Sequence, residues 1–119
     1  MHEHKFAFFL LALTAPIAAS SQVPHTPSAE RGQVLYQKNM CMTCHGTVGN
    51  GGERTSGPRI APNVWPLEAM KKQLRSPRQD MPRYGDKFVS DADAADIHAF
   101  LSTIKAGPKA KDVPLLSTL

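Results

Sequence analysis

The chain has 119 residues, including ten prolines, eight glycines and two cysteines, with a formal net charge of +4 and an isoelectric point near 9.3. That length fits one domain and leaves little room for a second. The basic balance alone admits a nucleic-acid partner, but no binding motif accompanies it and the N-terminus reads as an export address, so that class is set aside.

The chain opens on His2, His4 and Lys5, followed by the unbroken apolar run 6–13 and then Pro16, Ala18, Ala19, Ser20 and Ser21. A short basic start, an apolar centre and a small-residue cleavage region predict a secretory signal peptide over residues 1–21, and hence a periplasmic mature protein. The apolar run is well short of the roughly 20 residues that cross a bilayer, which weighs against the alternative of an uncleaved anchor. No later segment could span a membrane, so none is expected after cleavage. Residues 22–27, with Pro24 and Pro27, read as a flexible leader, and 28–105 as the folded domain.

Ser28 is a favourable N-cap and Glu30 sits in the first turn, where the helix dipole favours an acid. Ala29, Gly32, Leu35, Tyr36 and Met40 follow at helical spacing and predict a helix over about 29–39 that runs straight into Cys41. The stretch 46–62 is dense in glycine and proline and predicts a loop. Pro66 suits a first helical position, Leu67, Met70 and Leu74 share a face, and Pro77 ends the run, which predicts a helix over 66–75.

A second loop, 76–89, contains Met81-Pro82. Ser90 with Asp93 three residues on forms a capping-box pattern, and Ile97, Phe100, Leu101 and Ile104 then lie on one face, predicting a helix over 91–104. Gly107-Pro108 stops it, and residues 106–119 read as an irregular tail. No alternating apolar pattern argues for a sheet. The expected fold is all-α, three or more short helices joined by long loops and wrapped around something that completes a small core.

Cys41-Met42-Thr43-Cys44-His45 is a C-x-x-C-H string, the attachment signature of c-type haem. Two thiols three residues apart can add to the two vinyl groups along one porphyrin edge, and the adjacent histidine then presents its imidazole to the iron. A disulfide, a thioredoxin-like redox pair and half of a zinc site compete for the same cysteines. The redox pair needs a βαβ setting that is not visible, and zinc needs further ligands that His25 and His98 are not spaced to supply.

Residues 28–105 resemble the class I c-type cytochromes, small soluble monohaem electron carriers. The segments that carry the likeness are GQVLYQKNMCMTCHG, GPRIAP, MPRYG and SDADAADIHAFLSTIK. The resemblance implies the cytochrome c fold, one covalent haem c through Cys41 and Cys44, and His45 as an iron ligand. It implies that the first and last helices cross, with Gly32 and Tyr36 meeting Phe100. It also implies a thioether as second axial ligand, a choice that raises reduction potential. Met81 fits the family's Met-Pro motif, whereas Met70 has core spacing and Met40 and Met42 lie too near the attachment site. Pro58 matches a proline whose carbonyl accepts a hydrogen bond from the proximal imidazole. Trp65, Arg75, Arg78 and Tyr84 are candidates to hold propionates, Arg75 first among them. His25, in the leader, is expected to be free.

Electron transfer, not enzymatic turnover, is the implied role, with a redox partner protein, a periplasmic dehydrogenase and a terminal acceptor as expected partners. A basic stretch (Lys71, Lys72, Arg75, Arg78, Arg83 and Lys87 against Asp80 and Asp86) would steer an acidic partner. A haem enzyme or gas-binding protein with an open iron site is the alternative.

Overall fold

The computed structural model describes residues 24–51 and 57–114; the expected signal peptide lies outside them. The described residues form four α-helices and no strand: α1 (Ala29–Lys38), α2 (Cys41–His45), α3 (Leu67–Arg75) and α4 (Asp91–Thr103), with a 3₁₀ turn at Ala110–Asp112. The fold is all-α, as the sequence predicts. No helix among the described residues is long and apolar enough to cross a membrane.

The caps form where the sequence places them. Ser28 Oγ accepts from the Arg31 N–H. Ser90 and Asp93 complete a capping box, each side chain accepting from the other's backbone N–H. Pro66 stands at the N-cap of α3 rather than inside it. The first helix does not run into Cys41: it ends at Lys38, the chain turns through Met40 at φ 59°, and α2 starts afresh. Asn39 causes the break locally, because its Nδ2 donates to the Leu35 carbonyl at 2.9 Å and satisfies the end of α1.

Helix α1 packs along α4. A Cβ built on Gly32 would overlap the Asp96 carbonyl, so only glycine permits this approach. One turn on, Tyr36 meets Phe100 with ring centroids 5.6 Å apart and planes at 54°, a tilted aromatic contact of the favourable kind. Ala94, Ile97 and Leu101 of α4, with Leu74, Val89 and Ala61, complete the buried apolar core.

A buried acid locks the crossing. Asp96 is only 2% exposed. Its carboxylate accepts from the Ser28 N–H at 2.6 Å, His25 Nε2 at 3.0 Å, and Arg31 Nε and Nη2 at 2.9 and 3.1 Å. The expectation that His25 is free is therefore corrected: a carboxylate buried on α4 needs donors, and the leader supplies one. Burial alone would raise the Asp96 pKa, but the hydrogen bonds from Arg31, Ser28 and His25 outweigh it and leave it lowered.

The structure predicts that Asp96→Asn destabilises the protein by about 2 kcal/mol, since an amide donor then faces donors already in place. A carboxylate with a lowered folded pKa stabilises above its unfolded value near 4, and loses that contribution as pH falls through the folded pKa. In thermal melts the gap between parent and variant should therefore be full at neutral pH and close below pH 4.

Candidate functional site

Helix α2 is too short to fix its own orientation, and its neighbours fix it. Tyr36 Oη donates to the Gly46 carbonyl at one end, and Tyr84 Oη to the Asn39 carbonyl at the other, both at 2.8 Å. Burial raises both tyrosine pKa values and keeps the hydroxyls as donors. The first loop adds Gly51 N–H to the His45 carbonyl at 2.8 Å and Gly57 N–H to the Cys44 carbonyl at 3.1 Å.

These ties aim Cys41, Cys44 and His45 into one cavity of about 660 Å³, whose wall also includes Met70, Leu74 and Met81. That volume is typical of a pocket enclosing most of a small organic molecule. His45 Nδ1 lies 2.8 Å from the Pro58 carbonyl oxygen. A carbonyl can only accept, so Nδ1 carries the proton and the neutral ring keeps its lone pair on Nε2. An imidazole oriented in this way through its other nitrogen is the usual arrangement of a metal-ligating histidine.

The cysteines are free thiols. Burial pushes the Cys41 thiol up to about 11, the opposite of what a thiol–disulfide enzyme requires of its nucleophile. Among the described residues no group of three or more His, Cys, Asp or Glu side chains could hold a metal ion, so the zinc reading gains nothing. The donor set suits haem: two thiols on one wall, an imidazole with a free nitrogen, a thioether, and an otherwise largely apolar enclosure.

The structure brings Cys41, Cys44, His45, Pro58 and Met81 together around this cavity. Arg75 is engaged elsewhere. Its guanidinium reaches Asp86 at 2.5 Å, Asp91 at 2.8 Å and the Tyr84 carbonyl at 3.1 Å. Of the other candidate propionate partners, Trp65 and Arg78 line the cavity, whereas the Tyr84 hydroxyl is committed to Asn39. His98 donates from Nε2 to the Trp65 carbonyl at 2.9 Å.

Sequence reasoning passed over Gln73, which lines the cavity and donates from Nε2 to Met81 Sδ at 3.6 Å. The available signal was a polar residue interrupting the apolar spacing of Met70 and Leu74.

A family model described as cytochrome c oxidase, cbb3-type, subunit III matches residues 27–101. The cytochrome bc1 complex cytochrome c subunit of Corynebacterium efficiens is 36% identical over 81 residues, 66% of this chain and 26% of that protein. Its counterpart from Corynebacterium diphtheriae is 35% identical over 81 residues, again 66% of this chain and 28% of the relative. The chain thus spans about a quarter of the length of these relatives. No solved structure matches.

A Cβ added at Gly57 would overlap the Cys44 carbonyl and stand 3.0 Å from His45 Nδ1. Gly57→Ala should therefore pull the Pro58 carbonyl off the ring. We expect about 1–3 kcal/mol lost in thermal unfolding of the haem-bearing protein. With His45 as the iron ligand that the family resemblance implies, potentiometry should show a higher reduction potential, because an imidazole without that acceptor is a poorer donor.

Proposed function

The chain belongs to the c-type cytochrome family whose model is described as cytochrome c oxidase, cbb3-type, subunit III, and from that membership we propose an exported single-haem electron carrier with His45 and Met81 as axial ligands. Family membership brings one covalent haem c, for which Cys41 and Cys44 are the two thiols the sequence offers. The observation that carries the ligand assignment is that an imidazole with its tautomer set and a loop thioether line the same cavity as the two thiols. Bound haem supplies an iron that exchanges one electron between ferrous and ferric forms. The chain's part is to fix the ligands, exclude water with apolar walls and hold the surrounding dipoles still.

The Met81 loop is tied to α3 so that its thioether faces inward. The Tyr84 N–H donates to the Leu74 carbonyl at 2.9 Å and Arg75 donates to the Tyr84 carbonyl. We assign the propionates to Arg78 and Trp65, the cavity-lining candidates whose donors have no partner among the described residues. With His45 and Met81 as the two ligands no substrate would need to reach the iron; in the alternative, a haem enzyme or gas-binding protein, Met81 would be unbound and the iron site open.

The partner we propose is a component of a respiratory chain. The relatives are named as subunits of the cytochrome bc1 complex, and no finding points to a dehydrogenase in particular. Part of the basic stretch is spent internally: Lys71 pairs with Glu68 and Asp91, and Arg75 with Asp86 and Asp91. Lys72, Arg78, Arg83 and Lys87 remain exposed with no carboxylate partner among the described residues. Arg83 adjoins a shallow groove formed with Lys38, Met40 and Phe88. Phe88 and Met40 are 76% and 63% exposed. An apolar centre with a basic rim fits an acidic docking face.

The reading is tested by exposing reduced, haem-loaded protein to carbon monoxide. A spectrum unmoved in the parent, and carbon monoxide binding in Met81→Ala, are expected; prompt binding by the parent would sink Met81 as a ligand. Charge is tested with anionic hexacyanoferrate(III) as oxidant. Arg83→Glu with Lys87→Glu should slow oxidation several-fold at low ionic strength, and the difference should close in high salt.

A further inference from the structure

Gln73 presents an amide to a cavity wall that is otherwise mainly apolar. It stands on α3 between Met70 and Leu74, half-buried, and its Nε2 donates to Met81 Sδ at 3.6 Å. A thioether is a weak acceptor, and an amide gains little in stability by choosing one over water. Placing it there makes physical sense if the sulfur itself is the object. Gln79, two residues before Met81, is in the left-handed region at φ 58°. On the other side the loop is held at Tyr84 by backbone and arginine hydrogen bonds. Gln73 is the one described hydrogen-bond donor that reaches the Met81 side chain.

We propose that Gln73 is a positioning residue for Met81, holding the thioether in place and withdrawing electron density from its sulfur. This rests on the reading of Met81 as an iron ligand. A thioether sulfur has two lone pairs; with one directed at the iron, the other is left to accept the amide N–H. Hydrogen bonding to a ligating sulfur makes it a poorer donor, which favours the reduced iron and raises the potential. The same bond must break whenever an external ligand displaces Met81, so it also resists displacement.

The test uses the haem-loaded protein and two variants. Gln73→Leu removes the donor at similar size, and Gln73→Asn keeps an amide but shortens its reach by one methylene. Ferric protein is titrated with imidazole and the midpoint potential is measured. Both variants should bind imidazole about fivefold more tightly, the factor carried by one ordinary hydrogen bond, and both should have lower potentials than the parent. Either quantity staying at the parent value in both variants overturns the proposal. A parent whose spectrum lacks the iron–sulfur charge-transfer band would instead overturn Met81 ligation itself, so the two failures are distinguishable. Loss of thermal stability with unchanged imidazole affinity would show a merely structural amide, and also overturns it.

Discussion

The close approach of α1 and α4 at Gly32 is the constraint on which the rest of the structure depends. A helix can come that near another only where a side chain is missing. Once it does, Tyr36 is carried against Phe100 and its hydroxyl reaches the Gly46 carbonyl just beyond the haem-attachment turn. The five-residue α2 could not hold itself in register. Its orientation is inherited from the crossing through Tyr36, and from the second loop through Tyr84. Asp96 is the electrostatic half of the same device. It fastens the leader, the cap of α1 and α4 at one buried point.

The second loop is placed by a different chemistry. Lys71 and Arg75 on α3 pair with Glu68, Asp86 and Asp91, linking α3 to the loop and to the start of α4. The cations lower the Asp91 pKa, and the acids raise that of Lys71. Exposed pairs of this kind contribute little individually. Their effect is geometric: with the Tyr84 and Leu74 backbone groups they set the path of the chain past Met81. The same pairing removes Lys71 and Arg75 from the surface charge that a partner meets and leaves Lys72, Arg83 and Lys87 exposed.

Much of this was legible in the sequence because the relevant signals are local. The capping box at Ser90, the spacing of Ile97, Phe100 and Leu101, and the C-x-x-C-H string each fix a short stretch by short-range rules. The His45–Pro58 contact was anticipated through the family resemblance, and the carbonyl's distance from Nδ1 gives it a geometry. What escaped were pairings between distant segments. Asp96 reads as one more acid near a helix start, yet it is buried against a leader some seventy positions earlier. Arg75 reads as a cavity arginine, but two acids from the loop and α4 take its guanidinium. The break at Asn39 and Met40 was hidden because nothing in the local pattern marks a left-handed residue inside an apparently continuous helix.

Three methionines, Met40, Met70 and Met81, line the cavity; Met40 adjoins the attachment cysteines, and the account depends on Met81 rather than Met70 being the ligand. The most direct measurement is a proton–carbon spectrum of the ferrous protein labelled with ¹³C in its methionine methyl groups. The account predicts one methyl resonance carried far upfield by the porphyrin ring current, absent in Met81→Leu and retained in Met70→Leu. A shifted methyl that disappears with Met70 instead, or none at all, would contradict it.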